Sequence, residues 1–152
     1  MITIRDATAD DVPALAELRW EFRAGREPAV EDHDVFVERC AAWIYAHLAP
    51  RGAWRAWVAD DSGRIVGHVW LQPIDKIPNP VGGRERHAYL SNLYVKPVAR
   101  GGIGTRLLET ALDWACANGV DSVLLWPTPR SRTLYARHGF AATGDFLSRP
   151  CA

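Results

Sequence analysis

The residues best suited to chemistry lie between Tyr89 and Phe140. Arg100-Gly-Gly-Ile-Gly104 opens an apolar stripe at helical spacing: Ile103, Leu107, Leu108, Ala111, Leu112 and Ala115. Three glycines at a helix start, Gly101, Gly102 and Gly104, let backbone N–H groups approach a ligand with no Cβ in the way. The positive end of the helix dipole points the same way, which makes an anion site fit for phosphates. Arg100 adds a formal charge there and Thr105 a hydroxyl. Two familiar nucleotide sites do not fit. No Gly-Lys-Ser/Thr occurs, which excludes a P-loop, and Leu107 stands where a dinucleotide-binding turn needs its third glycine. Asp121 also precedes the next strand, whereas a ribose-binding acid ends it.

A second feature is a pair of prolines. The strand before the glycine loop ends in Val95-Lys-Pro97, and the strand after the helix ends in Trp126-Pro127. Proline cannot donate to a strand ladder, so two such neighbours are expected to separate at those ends. The opening would free main-chain donors and acceptors around Leu93 and Val95 for an extended ligand that carries amides. Tyr135 follows one short helix beyond, and a phenol there could reach a reacting group held in the gap.

These segments need a scaffold, and the hydrophobic periodicity supplies one. Ile2 to Arg5 alternates as a first strand; Thr8-Ala-Asp-Asp11 then Pro13 start a helix that continues to about Arg23. A second helix follows over Val35 to Leu48 and ends before Pro50 and Gly52. Trp54 to Ala59 and Ile65 to Gln72 predict a hairpin around Asp60-Asp-Ser-Gly63. Pro73 to Gly83 predicts a loop, Arg86 to Val95 a strand, and Ser122 to Trp126 a buried strand after the Asn118-Gly119 helix stop. Ser131 to His138 predicts a short helix, and Phe140 to Leu147 one or two terminal strands. The order is β-α-α-β-β-β-α-β-α-β, an α/β sheet with a strand–helix–strand crossover at its centre.

Composition narrows the class. A chain of 152 residues suits one domain, and 48% hydrophobic with 24% charged residues is ordinary for a soluble globular protein. Eighteen basic residues balance eighteen acidic ones, which argues against nucleic-acid or membrane-surface partners. Three widely spaced cysteines give neither a disulfide framework nor a zinc knuckle, and five scattered histidines show no metal spacing. No apolar run approaches the roughly 18 residues that span a bilayer, and the N-terminus lacks a signal-peptide core. A reduced, cytoplasmic compartment is expected. Of the seven tryptophans, Trp43, Trp114 and Trp126 are expected in the core. Trp20, Trp54, Trp57 and Trp70 are expected to line a cleft or an interface between copies.

Leu93-Tyr-Val-Lys-Pro97, Arg100-Gly-Gly-Ile-Gly104-Thr-Arg-Leu-Leu108 and Leu134-Tyr-Ala-Arg-His-Gly-Phe140 together resemble the central motifs of the GNAT acetyltransferases. The inferred element order resembles that fold over nearly the whole chain. The resemblance implies a single domain over residues 1–152 with a mixed central sheet of six or seven strands, splayed between the strands ending near Val95 and Trp126. It implies acetyl-CoA as cosubstrate and no metal. The loop Arg100, Gly101, Gly102, Ile103, Gly104 and Thr105 would bind the pyrophosphate, and Leu93, Tyr94 and Val95 would run beside pantetheine. Ser131 and Tyr135 would complete the cosubstrate site, with Tyr135 as general acid toward the leaving thiolate and the Val95 N–H opposite the developing oxyanion. The implied reaction is direct acetyl transfer to a primary amine, expected on a small molecule; a protein N-terminus, a lysine or a non-catalytic acetyl-CoA sensor are the alternatives. Homodimers occur in the family.

The chain departs from the family pattern at three points. Ala99 stands where the loop usually begins with Arg or Gln, Thr128 stands where Asn is common, and Tyr89 where many members place Glu. The general base is therefore open: His87, Glu85 or a water chain could serve. Glu17 and Glu21 on the first helix could bind a cationic acceptor or form a solvated face.

Overall fold

In the computed structural model, which describes residues 1–83 and 85–151, the chain runs β1 (Ile2–Asp6), α1 (Val12–Ala24), α2 (His33–His47), β2 (Arg55–Asp61), β3 (Arg64–Asp75), β4 (Arg86–Val95), α3 (Ile103–Ala117), β5 (Ser122–Leu124) and α4 (Arg132–Arg137). The strands form one sheet in the order β1-β2-β3-β4-β5. Every neighbour is antiparallel except β4 and β5, which are parallel and joined through α3.

Alternation along the strands builds two cores. Ala56 and Val58 of β2 face α1 and α2, whereas Trp57 and Ala59 face α3. Leu15, Ala16 and Leu18 fill the first layer, and Leu107, Leu108 and Ala111 fill the second. Gly67 lets α3 close on the sheet, since an added Cβ would lie 3.0 Å from the Tyr94 carbonyl and 3.3 Å from Leu107 Cδ1. The β2–β3 turn places Ser62 at φ 54° and Gly63 at φ 93°, the left-handed pair that a two-residue hairpin with the right twist requires. Asp11 fastens β1 to the start of α1: it accepts both Nη atoms of Arg5 at 2.8 and 2.9 Å and the Thr8 N–H at 2.7 Å.

The differences from expectation have local causes. The sheet has five strands among the described residues, not six or seven. Phe140 to Leu147 forms no ladder. Its middle, Ala141-Ala-Thr-Gly144, offers no large apolar face to hold a strand on the sheet, and Leu147 is 91% exposed. β3 runs on through Pro73 to Asp75, into the expected loop. Those last residues pair with β4 alone, because pairing to β2 ends at Leu71, so a proline there breaks no second ladder. The remaining loop lies at the Arg86 end of β4, with Lys76 N–H on the Glu85 carbonyl. Arg84 lies outside the described residues. Trp43 and Trp126 are 43% and 61% exposed rather than core, while Trp57 and Trp70 are buried.

Candidate active site

The parallel ladder between β4 and β5 is short. It pairs His87 with Ser122, Ala88 with Val123 and Tyr89 with Leu124, and there it stops, although β4 continues to Val95. The strand expected to reach Trp126 ends at Leu124, before Pro127. Beyond Tyr89 the two chains part around a cleft of about 1080 Å³.

A second device bends β4 at the same place. Ser91 pairs with Trp70 and Tyr94 with His68, so Asn92 and Leu93 together oppose Val69. This is a β-bulge, and Asn92 takes the left-handed conformation at φ 55° that asparagine tolerates. Asn92 Oδ1 accepts a hydrogen bond from Arg19 Nη1 on α1. Past the bulge, Lys96 N–H donates to the Val66 carbonyl of β3. Alternation then turns the peptide groups of Val95 into the wedge. The Val95 carbonyl meets Arg100 Nε there at 3.2 Å, and the Val95 N–H faces the same side.

At the mouth, Gly101 and Gly102 have φ of 131° and 90°. An added Cβ would touch no protein atom within 4 Å at either position, so it is the backbone conformation that requires glycine. The first helical bond of α3 runs from Arg106 N–H to Gly102 O at 3.1 Å, leaving the N–H groups of Ile103, Gly104 and Thr105 without helical partners. Ile103 turns its side chain into the core at 7% exposure and offers only its backbone. These amides and the open space beside Gly101 and Gly104 fit a diphosphate.

On the opposite wall Tyr135 is 8% exposed and meets Phe140 edge to face at 5.5 Å between centroids. Burial pushes its phenol up to about 12. Its ring lines the cleft together with Leu134 and Leu125.

A model of the acetyltransferase (GNAT) family matches residues 12–140. The chain belongs to that family. Two uncharacterized N-acetyltransferases are similar to it. One from Methanocaldococcus jannaschii is 28% identical over 147 residues, covering 91% of this chain and 60% of that protein. YhfO from Bacillus subtilis is 27% identical, covering 96% of this chain and 94% of the other. The chain thus spans about three fifths of the archaeal relative's length. A GCN5-related N-acetyltransferase from Ralstonia eutropha has the same fold at a TM-score of 0.81 and 25% identity, with all of both chains covered. A predicted acetyltransferase from Clostridium acetobutylicum, solved with acetyl-CoA, matches in fold at a TM-score of 0.81 and 24% identity, covering 99% and 96%.

The fold of this GNAT chain brings Leu93, Tyr94, Val95, Arg100, Gly101, Gly104, Ser131 and Tyr135 to one cleft. Tyr94 stacks on Phe22 at 5.4 Å, and its hydroxyl lies 3.5 Å from Glu21. The Ser131 hydroxyl is tied to Thr128, donating to its carbonyl at 3.1 Å and accepting from its N–H at 2.9 Å. His87 and Glu85 lie elsewhere. His87 meets Ser122 at 2.7 Å at the closed end of the ladder, and Glu85 accepts from the Asn79 N–H at 2.7 Å. Glu17 pairs with His33 away from the cleft. Glu21 is the one carboxylate among the described residues that line it, and it is paired with Lys96 at 3.0 Å.

Two residues of the cleft escaped sequence reasoning. Arg19 interrupts the apolar stripe of α1, three or four positions from Leu15, Ala16 and Phe22, and an arginine on a core-facing stripe was the available signal. Asn92 follows Ser91 inside an otherwise apolar run, and two polar neighbours break the strand period. Among the described residues no group of His, Cys, Asp or Glu is arranged to hold a metal ion. No helix there is long and apolar enough to cross a membrane.

Proposed function

We propose that this GNAT domain transfers acetyl from acetyl-CoA to a primary amine of a small molecule by direct attack, with Tyr135 as the proton donor. The observation that carries this reading is the wedge itself: an unpaired strand edge runs from a nest of free helix-start amides, past a bulge, to a buried phenol. Acetyl-CoA would supply a thioester and a thiol leaving group. The amides of Ile103, Gly104 and Thr105 would hold its diphosphate, and the edge around Leu93 and Val95 its amides.

The chain's own groups then have definite tasks. The Val95 N–H faces the wedge, where a donor stabilises negative charge developing on a carbonyl oxygen. An ordinary phenol, with a pKa of about 10, already keeps its proton at neutral pH, and burial pushes that of Tyr135 further up, to about 12. It therefore meets the leaving sulfur as a hydrogen-bond donor, in the form that general acid catalysis needs. A lysine-like amine has a pKa near 10.4 and arrives protonated, so a base must relieve it. Glu21 is the carboxylate in the cleft to which that task falls. A lining that combines a carboxylate with a half-buried guanidinium supports a small polar amine as acceptor.

The test is titration calorimetry with acetyl-CoA, followed by free-thiol release over a panel of amines. Binding together with amine-dependent thiol release is expected. Binding without turnover on any amine would replace the enzyme reading with that of an acetyl-CoA sensor.

A further inference from the structure

We infer that the acceptor carries an anionic group beside its amine, a carboxylate or a phosphate, and that this group docks on Arg19. The inference rests on the transfer reading above.

Arg19 is half-buried on the apolar face of α1 and lines the cleft. Its one protein hydrogen bond, among the described residues, runs to Asn92 at the bulge, and it forms no ion pair. Guanidinium has five N–H donors, so most of its capacity is left for a ligand. Burial holds its pKa below the usual arginine value and neighbouring Arg23 lowers it further, with no carboxylate acting to raise it. Other charges of this wall are already answered: Arg23 pairs with Glu27 at 3.4 Å, Glu21 with Lys96, and Arg26 lies over Phe22 at 5.5 Å. Arg19 is the half-buried cation without a counter-charge, and a cation so placed binds an anion strongly when one enters.

Position separates this anion from the cosubstrate's phosphates. Those are accounted for at Gly101 to Thr105, next to Arg100 on the Val95 carbonyl. From Val95 back to Asn92 is three residues along β4, about 10 Å at roughly 3.3 Å per residue. Arg19 thus sits at the bulge, toward the fork at Tyr89, where α1 borders the wedge. Glu21 lines the same cleft with one carboxylate oxygen on Lys96 at 3.0 Å and the other 3.5 Å from the Tyr94 hydroxyl; that second oxygen suits an ammonium, so the two side chains together describe an amine that also bears negative charge.

The test uses paired amines that differ in the anion alone: an amino acid and its carboxamide, an amino-sugar phosphate and the free amino sugar. Thiol release is measured with wild type, Arg19→Gln and the charge-conserving Arg19→Lys, and acetyl-CoA affinity is measured by calorimetry for each. The expected result is at least a tenfold preference in kcat/KM for the anionic member of one pair in wild type. It should disappear in Arg19→Gln and be partly kept in Arg19→Lys, with acetyl-CoA affinity within about twofold throughout. Which pair shows the preference identifies carboxylate or phosphate. Equal use of both members, or a preference that survives Arg19→Gln, overturns the inference and leaves the transfer reading standing. A large loss of acetyl-CoA affinity in Arg19→Gln overturns it by moving the residue to the cosubstrate's side. Acetyl-CoA binding with no turnover of any amine overturns both.

Discussion

Replacing Gly104 with alanine tests the glycine loop with two effects of opposite sign. Gly104 is the second residue of α3 and, unlike Gly101 and Gly102, has no positive φ to preserve. An added Cβ would meet a single protein atom, Val95 Cγ2 at 3.9 Å, an ordinary contact. The fold therefore has no use for glycine here. Alanine should stabilise the helix by up to about 1 kcal/mol, which for a chain of this size raises Tm by about 2–4 °C. The same methyl group would project beside the free amides that are to hold a diphosphate. Loss of one charge-assisted hydrogen bond costs about 1.5–3 kcal/mol, so acetyl-CoA affinity should fall by roughly 10- to 150-fold. Thermal unfolding and calorimetry on the one variant read both. A variant that binds acetyl-CoA as tightly as wild type would refute the assignment of this loop to the diphosphate. A variant that loses stability would refute the reading of the glycine as unneeded by the fold.

Three further outcomes follow from particular contacts. Tyr135→Phe should lower kcat by about 10²–10⁴-fold while acetyl-CoA affinity changes less than threefold; full turnover at saturating acetyl-CoA would remove the phenol from the reaction. Asp11→Asn should cost about 2 kcal/mol, or 4–8 °C in Tm, since the carboxylate is 6% exposed and holds Arg5 and the Thr8 N–H; an unchanged Tm would show that Arg5 re-pairs fully with Asp60. His68 is fully buried, and burial, helped by the charge of Arg19, holds it down at about 3 from an ordinary 6.5. Between those pH values the unfolded chain binds a proton that the folded chain refuses. Its share of stability is therefore complete above about 6.5 and is lost as pH falls toward 3, at up to about 1.4 kcal/mol per pH unit. In urea titrations at pH 7.5 and 5, His68→Gln should show a smaller loss of stability than wild type; an equal loss would place the acid sensitivity elsewhere.

What could be read from the sequence was whatever has a one-dimensional signature. The glycines before an apolar stripe, the prolines beyond two strands and the alternation of β2 each act through the backbone of their own segment, so their spacing carries the information. Trp43 and Trp126 were misplaced because composition alone does not say which side of a helix or strand end is covered. Trp43 stacks on His47 at 4.2 Å and meets Trp54 edge to face at 5.7 Å, yet stays 43% exposed. The apolar ends of Phe140 to Leu147 suggest a strand, but its Ala-Ala-Thr-Gly middle offers no large apolar face, and a strand also needs an edge to pair with, which is invisible in the segment itself. The α1 wall of the cleft was hidden for the same reason: Arg19 and Asn92 lie 73 positions apart and meet only because α1 packs across β3 and β4.

That contact ties the two halves of the site together. Two features coincide at the wedge, the end of β5 at Leu124, short of Pro127, and the bulge at Asn92 in β4. A proline can open a ladder without aiming anything, because it only removes a donor. The bulge does more. It shifts the alternation of β4, and past it the Val95 N–H and carbonyl face the gap. It also presents an asparagine to α1, the helix that carries Arg19 and Glu21. A strand of perfect register would have kept β4 paired along one edge and given α1 no polar anchor. In the proposed reading, the irregular residue is thus the point where an edge for the cosubstrate and a wall for the acceptor would be set against each other, and a change at Asn92 should disturb both affinities at once.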